Sequence, residues 1–327
     1  MLNGLIGKTD HPSDLYDFTG KFNLRSQYFY KNKGEWPNAP FNFDILNATK
    51  DKEITTGVTT YFTVAETNPR EVYVTPSGDY LFLIGSGADR IQRRDMTTPF
   101  DIETGSASTS QVISTATLGT IAGTEFGSEG NARGIFFRRD GLKFYVIGTT
   151  LDTVACFNLS TAWDLSSTIT YDSKAATASF SGPTGATTTL LGTQIFFKPD
   201  GSRFYIVEQQ ADCIVEYSIP SGEEWSLTNA SQVGNATSLG ALSSDLLNPT
   251  SIYIDPTGVK VFIHSSSQTD RLYELVMTTP WDLSTLALTN RDLDTDLTSN
   301  PTGVTFSEDT RFMYVVGSTA DKILRYS

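Results

Sequence analysis

Residues Thr193–Ile214 read TQIFFKPDGSRFYIVEQQADCI, and this stretch decides the fold. It opens on a β-branched and aromatic run, reaches a tight turn at Gly201, and enters a second apolar run. Two short runs joined by a glycine turn make a β-hairpin. Four further segments align with it. They are REVYVTPSGDYLFLIGSGADRI from Arg70, RGIFFRRDGLKFYVIGTTLDTV from Arg133, TSIYIDPTGVKVFIHSSSQTDRL from Thr250 and TGVTFSEDTRFMYVVGSTADKI from Thr302. The turn glycines are Gly78, Gly141, Gly201 and Gly258, with Thr310 in the fifth place. Glycine supplies φ > 0 at such a turn, so the fifth repeat must solve it differently.

The turns are 63, 60, 57 and 52 residues apart, room for four strands with their loops. Repetition at that period predicts a β-propeller of five four-stranded blades. Other landmarks recur in step. An aspartate follows each turn by eleven or twelve residues: Asp89, Asp152, Asp212, Asp270 and Asp321. It reads as a turn residue between second and third strands. A large aromatic comes next, Phe100, Trp163, Trp225 or Trp281, in phrases such as TTPFDIE, STAWDLS and TTPWDLS. These read as a bend between third and fourth strands, with the ring packed on its own blade. The fifth repeat reaches Ser327 after its third strand, whereas EITTGVTTYFTVAE, from Glu53 to Glu66, precedes the first. The expectation is all-β: a five-bladed propeller over 51–327, closed by an N-terminal strand within about 53–66. Closure pairs the two open edges.

The pattern resembles propellers with a recurrent P-D-G turn, the class that includes YVTN-type and lactonase-like proteins, over about 275 residues. TTPWDLS and the blades around it also resemble propellers of tailed-phage structural proteins. The first resemblance implies architecture rather than function, because propellers host enzymes, lectins and scaffolds alike.

Composition narrows the function classes. The 327 residues carry 24 basic and 37 acidic side chains, a net charge of −13, and an acidic body is a poor partner for nucleic acid. No apolar run is long enough to span a membrane, and MLNGLIGKTDHPSDLYDF turns acidic too early for a signal peptide. Cys156 and Cys213 read as reduced core thiols, and two histidines, His11 and His264, exclude a multi-histidine metal centre.

Residues 1–50 do not repeat, and they form an irregular arm holding nine aromatics. A segment of that size struggles to build its own core, so those rings are expected on the propeller or on another chain. Docking on a partner is the reading taken, through Arg25, Tyr28, Phe29, Tyr30 and Trp36, the residue types that anchor interfaces. The alternative is an arm that plugs its own propeller.

Chemistry in propellers gathers where the innermost strands begin. Asn68, Asn131, Asn248 and Asn300 stand there, with Leu191 breaking the ring. They form a weak candidate set for a hard cation or a sugar; as Asn-Pro turns they would merely start strands. No metal site is therefore assigned. A calcium-dependent lactonase-like site would want carboxylates, yet Glu71 has Gly134, Gln194, Ser251 and Gly303 as counterparts. His264 reads as a strand-end histidine, and Asp101, Asp164 and Asp282 as structural residues of the repeat. The expectation is a virion protein of a tailed phage, not an enzyme, with no cofactor. Its arm would bind other virion proteins as capsid decoration or tail component. Carbohydrate binding through rim aromatics such as Tyr217, at a host glycan, is the alternative; a metal-dependent hydrolase comes third.

Overall fold

Five antiparallel sheets are arranged as the blades of a propeller in the computed structural model. It describes residues 41–327 except 106, 108–110, 124–125, 127–128, 176–178, 190, 267–270 and 298–299. The propeller unit is Asn42–Ser327. Arg25, Tyr28, Phe29, Tyr30 and Trp36 lie outside the described residues.

Strand β1 is Lys50–Thr55. Blade one follows as β2 Pro69–Val74, β3 Tyr80–Gly85, β4 Arg90–Asp95 and β5 Gln111–Ser114. Blade two is β6 Ala132–Phe137, β7 Lys143–Gly148, β8 Thr153–Leu159 and β9 Ile169–Ala175. A hairpin of β10 Ser179–Ser181 and β11 Thr187–Thr189 leads to blade three. That blade is β12 Gly192–Phe197, β13 Arg203–Glu208 and β14 Cys213–Ser218, its outer strand split into β15 Ser231–Gln232 and β16 Thr237–Ser238. Blade four is β17 Pro249–Ile254, β18 Lys260–Ser265, β19 Arg271–Met277 and β20 Leu286–Asp294. Blade five is β21 Pro301–Phe306, β22 Met313–Gly317 and β23 Lys322–Tyr326, completed by β1.

The closing strand pairs Glu53 with Leu324 and Thr55 with Lys322. It is shorter and earlier than the 53–66 expected. Beyond Thr55 the chain leaves the sheet: Thr56 exchanges backbone bonds with Asp321 and Glu66, and the intervening loop buries Phe62. Arg325 locks the closure. Its guanidinium takes both oxygens of Asp51, at 3.0 and 2.6 Å, and also reaches the Phe100 carbonyl of blade one at 2.8 Å.

Blades are glued along their seams. One cluster joins Phe82 and Ile84 of blade one to Phe137 and Phe144 of blade two. Others join blades two and three, three and four, and five and one. Cys156 and Cys213 are buried free thiols within this packing. The turn glycines answer two demands together. Gly78, Gly141, Gly201 and Gly258 all have φ near +75°, and a Cβ on each would fall 2.3–2.6 Å from the aromatic ring of the same blade. Thr310 keeps the left-handed φ, at 58°. Its hydroxyl accepts the Asn42 N–H at 3.5 Å, and Phe43 packs on Phe306 at 5.2 Å as Trp163 and Trp225 pack on Phe137 and Phe197, so the segment before β1 brings a ring to the equivalent place in blade five. Asp89, Asp152, Asp212 and Asp321 also hold φ near 50°, immediately before their third strands.

Candidate functional site in the channel mouth

The innermost strands β2, β6, β12, β17 and β21 surround the propeller axis, each neighbouring the next. The second residue of each is Arg70, Arg133, Thr193, Thr250 and Thr302. Equivalent register therefore aims all five at one end of the channel. There they line a cavity of about 260 Å³ together with Gln209 and Asn300.

Two of the five are cationic and adjacent. Arg70 is held by Ser86, its Nε donating at 3.1 Å. Arg133 Nε is buried with no hydrogen-bond partner. Among the described residues, neither guanidinium has a carboxylate within ion-pair distance. Burial pulls the Arg70 guanidinium down to about 10, and repulsion from Arg133 adds to it. Burial likewise lowers Arg133, and attraction from Glu66 on Arg70 and from Glu129 on Arg133 opposes the fall without forming an ion pair.

The nearby carboxylates are occupied elsewhere. Glu66 accepts from the backbone N–H groups of Asn68, Gly87 and Ala88 at 2.8, 2.9 and 3.1 Å. Glu129 repeats this in blade two, with Asn131, Thr150 and Leu151. Gly85 and Gly148 make room, since a Cβ on either would overlap the carboxyl carbon. Each acid thus ties the start of its first strand to the loop after its second. The threonine side differs. Thr302 donates to the Pro69 and Val316 carbonyls at 3.0 and 3.2 Å, Thr193 to Val207 and Thr250 to His264. Their hydroxyl protons are engaged, so these oxygens meet a ligand as acceptors.

One residue further along each strand lies a second layer: Glu71, Gly134, Gln194, Ser251 and Gly303. Glu71 is buried. Its Oε1 accepts the Val72 N–H at 2.9 Å, and its carboxyl also bonds the Gln194 amide of blade three. A Cβ on Gly303 of blade five would stand 2.8 Å from that same oxygen. Gln194 continues the chain of bonds by accepting the Ile252 N–H of blade four. A group touching blades one, three and five sits on the axis, so this layer floors the mouth. Burial pushes the Glu71 carboxyl well above the carboxylate range.

The asparagines expected at this end do other work. Asn68 and Asn131 give their amides to Ser86 and Thr149 at 2.9 and 2.8 Å, within their own blades. Asn248 and Asn300 adopt left-handed φ, 52° and 68°, and Asn300 alone of the four lines the cavity. His264 is fully buried inside β18. Its Nδ1 is 3.3 Å from Ser251 Oγ, its Nε2 faces the Gly303 backbone without completing a hydrogen bond, and burial holds the imidazole down to about 3. Asp101, Asp164 and Asp282 cap bend N–H groups of Glu103, Ser166 and Ser284. Tyr217 is a correction: it is 4% exposed and stacked on Phe204 at 4.7 Å, so it offers no rim platform for a sugar.

The two arginines escaped the sequence reading, although a signal was present. Glu-x-Asn-x-Arg occurs as Glu66–Asn68–Arg70 and again as Glu129–Asn131–Arg133, at one repeat position in consecutive blades.

No known family and no curated protein matches the chain. Solved structures do. The periplasmic gluconolactonase of Pseudomonas aeruginosa is 15% identical at TM-score 0.43, covering 76% of this chain and 60% of that one. A Bacteroides fragilis protein provisionally named as a 6-phosphogluconolactonase is 18% identical at 0.39, over 70% and 55%. The Swd1 propeller domain of Myceliophteria thermophila is 10% identical at 0.46, over 86% and 99%. The chain spans about 55–62% of the length of the first solved structures it matches. These likenesses are of fold alone. They correct one expectation all the same. The expectation that the chain is not an enzyme is withdrawn, because proteins named as lactonases share this architecture.

Proposed function

We propose that the propeller binds a small hydroxylated anion in its channel mouth. The observation carrying this reading is the convergence of Arg70 and Arg133 on one cavity with no carboxylate within ion-pair distance among the described residues, in a chain of net charge −13. A guanidinium that is half-buried and unpaired is costly unless an anion completes it. The ligand's charged group belongs against blades one and two. Its hydroxyls belong against the acceptor oxygens of Thr193, Thr250 and Thr302. The cavity, about 260 Å³, limits the ligand to monosaccharide scale. The test is calorimetric titration of the full chain with gluconate, glucose 6-phosphate and glucose. Anions should bind at least tenfold more tightly than glucose, and Arg70→Gln or Arg133→Gln should erase the difference. Equal affinities for all three, or arginine variants that bind unchanged, would refute the reading. Sugar lactones belong in the same panel, with ring opening followed by proton release, because two neighbours in fold carry that name.

A second reading concerns the arm. Nine aromatics in residues 1–50 support docking on a partner protein through Arg25, Tyr28, Phe29, Tyr30 and Trp36. On this proposal the partner is another protein of a tailed-phage particle and the propeller is the displayed body. Tyr28→Ala with Trp36→Ala should abolish attachment while the propeller melts unchanged; a lowered melting temperature would instead favour an arm packed on its own propeller.

A further inference from the structure

We infer that Glu71 sets the anion affinity of the channel mouth. The inference rests on the anion-binding reading above and names how that site is regulated. The carboxyl lies on the channel axis: it belongs to blade one, bonds Gln194 of blade three and abuts Gly303 of blade five. In a five-membered ring, blade three meets those two only across the channel. The residue before it in the strand is Arg70, so the carboxyl sits about one residue rise, ~3.3 Å, below the ring of mouth residues.

Nothing in the packing requires an acid here. The equivalent positions are Gly134, Gln194, Ser251 and Gly303, so the repeat does not impose one. Beyond the Val72 N–H and the Gln194 amide the carboxyl has no partner, and its Oε2 is buried without completing a hydrogen bond. An amide of the same shape, such as Gln194 carries across the channel, would avoid the cost of burying an ionisable group. A neutral Glu71 leaves the field of Arg70 and Arg133 intact for an incoming anion. An ionised Glu71 would cancel one of those two charges from below. The coupling is reciprocal: a bound anion favours the protonated acid, and the ionised acid disfavours the anion.

The groups around it do not supply the same response. Arg70 and Arg133 on β2 and β6 stay charged, and β12, β17 and β21 carry no charged side chain. His264 on β18 is held neutral by burial, and the Tyr73 and Tyr253 phenols are pushed far up. Among the described residues, the carboxylates at this end are Glu66, Glu129, Glu208, Asp89, Asp152, Asp212 and Asp321. Apart from them, Glu71 stands beneath the arginines on the axis.

The probe is inorganic sulfate, whose charge is constant between pH 5 and 8.5, a range in which Arg70 stays protonated, titrated calorimetrically into the full chain at fixed ionic strength. Wild type should lose roughly tenfold in affinity as pH rises across that range, the order of effect of one unit charge about 10 Å away in a partly buried site. Glu71→Gln should hold the low-pH affinity throughout, and so should Glu71→Met, which keeps the length should the amide perturb folding. Arg133→Gln should lose sulfate at every pH. A flat wild-type profile overturns the inference, as does a wild-type slope that persists in both Glu71 variants; in either case the anion site itself stands. Absence of sulfate binding at any pH removes the anion site and the inference together.

Discussion

Replacing Gly201 by alanine tests the double demand on the turn glycines. Gly201 has φ 73°, where an L-residue costs about 1–2 kcal/mol. The new methyl would fall 2.3 Å from Trp225 Nε1, a distance no rotamer change at the turn can relieve. The indole must therefore leave its place, stacked on Phe197 at 5.3 Å and Phe136 at 6.4 Å. Each ring pair contributes about 0.5–1.5 kcal/mol, so the total loss should be about 3–4 kcal/mol. Urea unfolding followed by tryptophan fluorescence measures it. Thr310→Gly is the comparison, since it takes a side chain away from the equivalent left-handed turn without displacing a ring; its stability should stay within about 1 kcal/mol of wild type. A Gly201→Ala loss below 1 kcal/mol, or equal losses at both sites, would refute the reasoning.

Arg325→Leu should destabilise by about 3 kcal/mol, because it strands Asp51 and the Phe100 carbonyl at the blade-five closure; thermal unfolding reads this, and an unchanged midpoint would count against the closure as described. His264 titrates at about 3 in the fold against 6.5 unfolded, so its depressed value stabilises above pH 6.5. That stability should be lost as pH falls from 6.5 towards 3, by up to roughly 5 kcal/mol, and His264→Gln should flatten that part of the stability profile. Glu71 acts in the opposite sense: its raised value gives stability below pH 4.5 that declines as pH rises, so Glu71→Gln should unfold at higher denaturant than wild type at pH 8. Tyr217→Ala should cost about 3 kcal/mol in urea unfolding through its lost stacking on Phe204; a variant of wild-type stability would restore a surface role for this ring.

The fold was legible because its determinants are local and repeated. Gly201 and its equivalents in four blades, the left-handed aspartates and the Trp163-type aromatics solve the same turn or bend from blade to blade, so spacing alone lined up the blades. The closing strand was harder to place. Its register depends on Leu324 and Lys322, hundreds of residues away, and the loop from Thr56 to Glu66 is as β-rich as the strand itself. The mouth was less legible for a related reason. Repeat reasoning rewards what recurs in all blades, and it drew attention to asparagines that start strands. The chemistry sits where repeats differ: arginine in two blades and threonine in three, with a single acid at Glu71. Which side chains share a cavity follows from ring closure, which brings Arg70 beside Thr302 although 232 positions separate them.

The central claim is an anion site built by Arg70 and Arg133. Sulfate titrated at pH 6 into wild type and Arg133→Gln, each checked for an unchanged melting temperature, tests it most directly. The account predicts one saturable site per chain in the wild type and at least a tenfold loss in the variant. No saturable heat in the wild type, or equal affinity in both proteins, would contradict it.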